Sequence, residues 1–310
     1  MSARFGFARG SEARLVARRM GIDARHICRD FVMAKEGART GDSNPELAGR
    51  AVLQALDRAR LSVTDIGYLI GHTATPHQPL PSNIALVADL LDYRGPHVEL
   101  RQACTGFANA LMIASGLVAA GSKPVVIVGS ETGSLFFDPA MLNGDTGQIV
   151  NMVQMGDGAG AIIVGLANDA AATIRAAWYG GIGVGRAPGI SRNHGARRFD
   201  HDFAAIRASG HLLFEAGQAT ARDLGHNVAH ADRIIPHQVS GRIGAQVAEH
   251  FGLPRERLFV NADRCGNTGS AAIWIALDQA RTSLSVGERV LVLGAEASKY
   301  MYGGFVYDHG

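Results

Sequence analysis

Hydrophobic positions along the chain follow two periods. Leu47, Ala51, Val52 and Leu56 recur at helical spacing behind Ser43 and Asn44, either of which can cap, and Pro45 falls in the first turn, so the pattern predicts a helix over 45–60. Ser82 opens another helix, over 82–91, and small apolar runs predict helices over 108–120, 209–229, 240–251 and 271–280. Between them lie short apolar runs at 66–71, 98–100, 124–129, 162–164, 173–178, 233–236, 258–260 and 290–294, several of them β-branched, which read as buried strands. The first 20 residues read as a short Arg-rich helix, 135–155 as a long mixed loop, and 179–207 as a loop rich in Gly, Arg and His. Strands alternating with helices predict an α/β layered protein.

The pattern repeats. From Cys104 the chain runs through a turn, a small-residue helix, a glycine, the strand at 124–129 and then Glu131. From Asn267 it runs through a turn, a small-residue helix, Gly287, the strand at 290–294 and then Glu296. The intervals agree within about two residues, which predicts two similar halves, 1–165 and 166–310, related by a pseudo-twofold axis. The Cys104 and Asn267 turns then occupy equivalent positions, with their helix N-termini facing one shared cavity.

Composition narrows the class. The 310 residues are 47% hydrophobic and 19% charged with a net charge of +2, enough for a sizeable core and too balanced to point to nucleic acid. The three cysteines cannot all pair, no secretory signal opens the chain, and no apolar run reaches the ~20 residues of a membrane span. A cytoplasmic protein with free thiols is the expectation. Abundant glycine (39 residues) and few aromatics (6%) suit tightly turned layers.

Three positions carry candidate chemistry. Cys104 precedes a helix whose unpaired N–H groups and dipole favour a thiolate, the nucleophilic form. His237 ends an apolar strand, where its side chain reaches the sheet edge. Asn267 sits in a turn between Gly266 and Gly269. Singly, each has an ordinary reading: a buried thiol, a surface imidazole, a turn residue.

Together they form a pattern that resembles the thiolase superfamily and, within it, the ketoacyl-ACP synthase III group. The matching motifs are Ala103-Cys104-Thr105-Gly106, Gly156-Asp157-Gly158-Ala159-Gly160-Ala161, Ile235-Pro236-His237-Gln238 with Arg242-Ile243, and Asp263-Arg264-Cys265-Gly266-Asn267-Thr268, in family order. Weaker matches are Gly21-Ile22 with Arg25-His26, and Thr75-Pro76 with Pro81-Ser82. The resemblance implies a five-layered αβαβα thiolase fold and a homodimer formed across the N-terminal half. It implies that Cys104 takes an acyl group from an acyl carrier protein or coenzyme A thioester, and that His237 and Asn267 hold the oxygen of the enolate left when a malonyl-type thioester loses carbon dioxide. No cysteine follows Cys265 to serve as a thiolase-type base, so decarboxylative condensation in fatty-acid or polyketide-type biosynthesis is favoured. Neither cofactor nor metal is implied, and neither nucleic acid nor membrane is an expected partner.

The same resemblance assigns substrate contact to Leu80, Phe214, Ser298 and Lys299. It assigns carrier-protein contact to Arg242, and Arg255 and Arg257, with Arg197 and Arg198, are expected to extend the basic patch toward the same partner. Leu15 stands where coenzyme A users often carry tryptophan, and 135–155 holds no arginine, so a carrier protein is the expected donor. Leu80 in place of a bulky aromatic predicts medium or longer acyl chains. Two departures stand out: 295–300 lacks the family's glycines, and the strand that usually precedes the Gly-Ile motif is missing. Acyl transfer from Cys104 to a hydroxyl or amine, and a non-catalytic partner subunit, remain the alternatives.

Overall fold

The computed structural model describes residues 9–30, 39–137, 139–167, 172–192 and 198–310. Strands β1 (Tyr68–His72), β2 (His97–Leu100), β3 (Val125–Thr132) and β4 (Asp157–Val164) form one sheet of order β2-β1-β3-β4, parallel except for β4. Strands β5 (Thr173–Gly181), β8 (Arg233–Pro236), β9 (Arg289–Glu296) and β10 (Met301–Asp308) form a second, β5-β10-β9-β8, in which β8 and β9 are parallel and β10 runs against both its neighbours. A small ribbon of β6 (Ile190–Ser191) and β7 (Asp200–His201) stands apart.

Alternation along each strand builds the layers. In β3, Val125 and Ile127 face the middle of the molecule while Val126 and Val128 face outward; in β9, Val290 and Val292 face the middle while Leu291 and Leu293 face outward. The middle layer consists of α4 (Gly106–Ala119) and α8 (Ala272–Arg281), packed between the two sheets. Helices α2 (Asn44–Ala59) and α3 (Asn83–Leu90) cover the outside of the first sheet. Helices α6 (Phe203–Asp223) and α7 (Ile243–Phe251) cover the outside of the second. The result is the expected αβαβα sandwich. At its centre Phe107 meets Trp274 edge-on at 5.9 Å and Phe305 at 5.7 Å, so Phe107→Ala costs about 3–5 kcal/mol.

The local signals work as expected where the face is apolar. Ser43 and Glu46 form a capping box on α2, and the Ser82 hydroxyl accepts the Ala85 N–H at 3.4 Å. They fail where the buried face is polar. The predicted loop 135–155 contains α5 (Thr146–Gln154), whose inner side carries Gln148 and Asn151; both amides donate to the Phe199 carbonyl, at 3.1 and 2.9 Å. Helix α6 starts at Phe203 rather than 209, capped by Asp202, whose Oδ1 accepts the Ala205 N–H at 2.9 Å.

Glycine hid one strand and the first part of another. The glycine-rich motif from Gly156 belongs to β4 from Asp157 onward; a Cβ at Gly156 would collide with the Cys265 carbonyl, and one at Gly160 with Trp274. Gly303 and Gly304 lie within β10, pressed on Ala108 and Trp178. The short strand expected at 258–260 is a single bridge between Ile234 and Leu258. The halves correspond: β1 and β8, β3 and β9, β4 and β10 occupy matching places. In the second sheet β5 flanks β10, whereas among the described residues no strand flanks β4 on its outer edge.

Candidate active site

The nucleophile turn is built between β2 and α4. Gly106 N–H bonds back to the Ala103 carbonyl at 3.2 Å, and Thr105 is fully buried. The Glu296 carboxylate, at the end of β9, accepts both the Thr105 N–H (3.0 Å) and the Thr105 hydroxyl (2.7 Å), and its other oxygen accepts the Ser298 hydroxyl. Helix α4 therefore has a carboxylate already seated at its N-terminus. This corrects the expectation of a thiolate: burial pushes the Cys104 thiol well above its ordinary range, Glu296 and then Glu131 push it further, and its own N–H only partly opposes them. Resting Cys104 is a thiol, largely buried at the edge of the cavity.

The second turn mirrors the first. Glu131, at the end of β3, accepts the Ser270 N–H at 3.2 Å together with the Ser270 hydroxyl, and the Ala74 N–H at 3.0 Å. Each half thus supplies the carboxylate that fixes the other half's turn. Burial raises the Glu131 carboxyl despite these donors. Asn267 is locked by a bridge to Met155, its N–H bonding the Gln154 carbonyl at 2.7 Å and its own carbonyl accepting the Gly156 N–H at 3.0 Å. Its side-chain Oδ1 accepts the Gly269 N–H at 3.0 Å. A backbone donor fixes which end of the amide is oxygen, so the NH2 end is the one left for a substrate.

His237 follows β8, its N–H bonding the Leu293 carbonyl at 2.7 Å. The side chain is 3% exposed, and neither ring nitrogen has a hydrogen-bond partner. Burial lowers the imidazole to about 4 and leaves it neutral at physiological pH. A buried polar ring without partners beside a cavity is a site awaiting a ligand.

Cys104, His237 and Asn267 all line one cavity of about 840 Å3, whose lining includes the apolar Val16, Met20, Ile206, Leu213, Phe214 and Val247. A second cavity, of about 300 Å3, also opens at Cys104 and shares Asn267, Ile190 and His201 with the first. Of the expected substrate contacts, Phe214 lines the larger cavity and Ser298 the smaller. Leu80 is 86% exposed and lines neither cavity, and Lys299 donates to the Arg186 carbonyl instead of reaching the site.

The basic residues are rearranged as well. Arg242 remains on the surface, but its guanidinium binds the Arg19 (2.7 Å) and Arg18 (3.0 Å) carbonyls at the C-terminus of α1 (Gly10–Met20), where a cation suits the helix dipole. Arg255 donates to the Leu258 carbonyl at 3.0 Å, and Arg257 holds the Val228 (2.6 Å) and Ala231 carbonyls, so both guanidiniums bind backbone of their own chain. Arg198 pairs with Asp200 at 3.4 Å; Arg197 lies outside the described residues. Arg19 and Arg207, not singled out by sequence, stand on the wall of the larger cavity.

Three further groups escaped the sequence reading. Asp157 of the glycine motif accepts the Cys28 and Ser134 N–H groups at 2.6 and 2.8 Å, and burial, reinforced by this carboxylate, pushes the Cys28 thiol up to about 12. His72 lies beneath the nucleophile turn, accepting the Trp274 indole N–H at 3.0 Å. His201 reaches the junction of both cavities; no periodicity marks it, because β7 is two residues long. Among the described residues no cluster of three metal-ligating side chains occurs.

A thiol at a helix start, a neutral imidazole and an oriented amide on one cavity, within a duplicated αβαβα sandwich, define a thiolase-fold condensing enzyme. Residues 98–180 and 222–307 match the models for 3-oxoacyl-[acyl-carrier-protein] synthase III and for its C-terminal part. β-Ketoacyl-[acyl-carrier-protein] synthase III 3 of Streptomyces coelicolor is 31% identical, over 88% of this chain and 82% of the relative. Among solved structures, AbyA1, a tetronic acid condensing enzyme, superposes with a TM-score of 0.86 at 26% identity, covering 99% of this chain and 94% of the other. The 3-oxoacyl-[acyl-carrier-protein] synthase III of Aquifex aeolicus gives 0.82 at 25% identity, covering 96% and 91%. The chain belongs to the β-ketoacyl-[acyl-carrier-protein] synthase III family.

Proposed function

We propose that this protein joins a Cys104-bound acyl group to a malonyl-type thioester by decarboxylative Claisen condensation, yielding a β-ketoacyl thioester for fatty-acid or polyketide-type synthesis. The convergence of Cys104, His237 and Asn267 on one cavity carries the reading. The Cys104 sulfur attacks the acyl carbonyl, its proton leaves on the departing thiol, and a Cys104 thioester remains. In the second half-reaction the malonyl C–CO2 bond breaks and its electron pair becomes an enolate. The His237 ring and the Asn267 NH2 end donate hydrogen bonds to the enolate oxygen; a neutral imidazole does so without surrendering its proton. The enolate carbon attacks the Cys104 thioester, and the released sulfur takes up a proton.

The carrier arm enters through the larger cavity, past Arg19 and Arg207, with the phosphate of the carrier near these cations and Arg242 holding α1 in place. Residues 1–165 serve as the half supplying the nucleophile, and 166–310 as the half supplying His237 and Asn267. Two copies pair across the N-terminal half, where β2 is an open edge strand and Leu80 and Met112 are exposed.

Intact mass and carbon dioxide release, measured together with acyl and malonyl thioesters, test the reading. Acyl label on Cys104, followed by stoichiometric carbon dioxide and β-ketoacyl product, is expected. Asn267→Ala should still accept the label while condensation falls by about 10²–10³, the cost of one oxyanion donor. Label that passes to an added alcohol or amine without carbon dioxide release would replace condensation by acyl transfer.

A further inference from the structure

The peptide plane that holds Asn267 has a second partner. The Asn267 carbonyl accepts the Gly156 N–H at 3.0 Å, and its N–H bonds the Gln154 carbonyl at 2.7 Å. The carbonyl of that same Met155–Gly156 peptide points the opposite way, as a planar trans peptide requires, and accepts the Arg25 Nε–H at 3.0 Å. The Arg25 guanidinium also donates to the Met152 carbonyl in the last turn of α5, where a cation suits the helix dipole. Burial lowers this guanidinium to about 10, with the charge of Asp157 opposing, so it is still a cation at neutral pH. Its stem lies against Gly266, the residue before Asn267: φ there is +69°, and a Cβ would sit 3.3 Å from the Arg25 Cβ and Cδ.

The chain around Arg25 is stitched to both flanks of this arrangement. Asp23 and Ala24 donate to the Asp263 carbonyl at 2.7 and 3.0 Å, in the short helix that leads into the Asn267 turn, and the His26 carbonyl accepts the Asp157 N–H at 2.9 Å. Arg25 is thus fixed between the two backbone segments that place Asn267. A charged donor on the carbonyl end also polarises the Met155–Gly156 peptide and strengthens its N–H. The nucleophile turn is anchored elsewhere, by Glu296 on Thr105. We propose that Arg25 is a positioning residue for carbon–carbon bond formation: by holding the Met155–Gly156 peptide it sets where the Asn267 NH2 end meets the enolate oxygen. Arg25 lines neither cavity, so it acts through Asn267 and not on the substrate. The inference rests on the condensing-enzyme reading and adds a supporting residue to that site.

Arg25→Met keeps a stem on Gly266 and removes the guanidinium. Two rates are compared, Cys104 acylation by butyryl-N-acetylcysteamine, read by intact mass, and carbon dioxide release when the acylated protein meets malonyl-N-acetylcysteamine. Acylation should change by less than about twofold while condensation falls by about tenfold to a hundredfold, since a misplacement of about 1 Å suffices for such a loss. In an Asn267→Ala background the same substitution should cost less than about twofold more, because the group it positions is gone. Folded Arg25→Met protein that condenses at the unaltered rate overturns the proposal. Equal loss of both rates overturns it too, and so does the full loss repeated on top of Asn267→Ala. If melting shows that Arg25→Met does not fold, Arg25→Lys carries the same comparison. It keeps the cation but not a fork that spans two carbonyls, so a loss confined to condensation is expected and an unchanged rate overturns the proposal. Unaltered protein that takes the acyl label but releases no carbon dioxide overturns the condensing-enzyme reading, and this inference with it.

Discussion

Replacing Glu296 with Gln removes a charge from the nucleophile turn and leaves its geometry in place, since an amide oxygen can still accept the Thr105 N–H and hydroxyl now bound at 3.0 and 2.7 Å. Two electrostatic effects compete at Cys104. A helix N-terminus favours a nearby anion by about 0.3–1 kcal/mol, up to about 2 kcal/mol when partly buried. A carboxylate a few ångströms away, through an effective dielectric near 20, disfavours it by about 3–4 kcal/mol. The carboxylate wins, in keeping with the raised thiol. Glu296→Gln should therefore bring the thiol back down toward its ordinary range. Thiolate at pH 7 then rises, and each tenfold rise is cut by the weaker nucleophilicity of a less basic sulfur to about a three- to fourfold gain in alkylation rate. The assay is the pH profile of iodoacetamide alkylation at Cys104, read by intact mass, with melting temperature as the fold control. Glu131→Gln should move the profile less, because Glu131 ranks behind Glu296 in raising the thiol and is itself biased toward the neutral acid. A folded Glu296→Gln protein with an unmoved alkylation profile would refute the argument.

Acid should destabilise the fold from the neutral side. His72 and His237, lowered by burial from 6.5 to about 3 and about 4, stay neutral when folded and take up protons when unfolded, so stability is full above pH 6.5 and is lost as pH falls below it. At pH 5 each costs about 2 kcal/mol, about 4 kcal/mol together, and a melting temperature flat between pH 7.5 and 5 would contradict this. The proposed pairing across the N-terminal half predicts that Met112→Glu, which places a charge on a residue 46% exposed in the single chain, shifts sedimentation from dimer toward monomer. A monomeric unaltered protein would remove that pairing.

What was legible in the chain depended on which residues face inward. The core strands announced themselves because Val125 to Val128 and Val290 to Leu293 are apolar on both faces, as a sheet between two helical layers requires. Cys104, His237 and Asn267 were legible because each sits where a strand or turn ends, and the motifs around them supply the capping and close-packing residues of those ends. Helix α5 was not, since Gln148 and Asn151 face inward to bind one carbonyl. Neither was β10, where glycine replaces the β-branched residues that mark a strand, because Ala108 and Trp178 press on its backbone. The acceptors of the arginines were not legible either, because sequence gives a cation but not its partner: Arg255 binds the Leu258 carbonyl of its own turn, and Arg257 reaches the Val228 and Ala231 carbonyls.

The repeat itself carries the site. A strand ending in a carboxylate and a turn opening a small-residue helix occur twice, and the sheets exchange partners: Glu131 of the first binds the turn of the second, Glu296 of the second binds the turn of the first. Neither half can place its own turn without the other, so the cavity between Cys104 and Asn267 is a consequence of the two halves packing together. The copies have since diverged in one respect. One turn carries the sulfur proposed to take the acyl group; the other carries an amide whose oxygen is tied to Gly269 and whose NH2 end is left to donate. A symmetric frame thus sets the distance between nucleophile and donor, while asymmetry in two side chains divides the labour. The same frame explains why the thiol rests protonated: the charge that holds the turn in position also opposes its ionisation, and only a substrate able to take the proton with its leaving thiol completes the transfer.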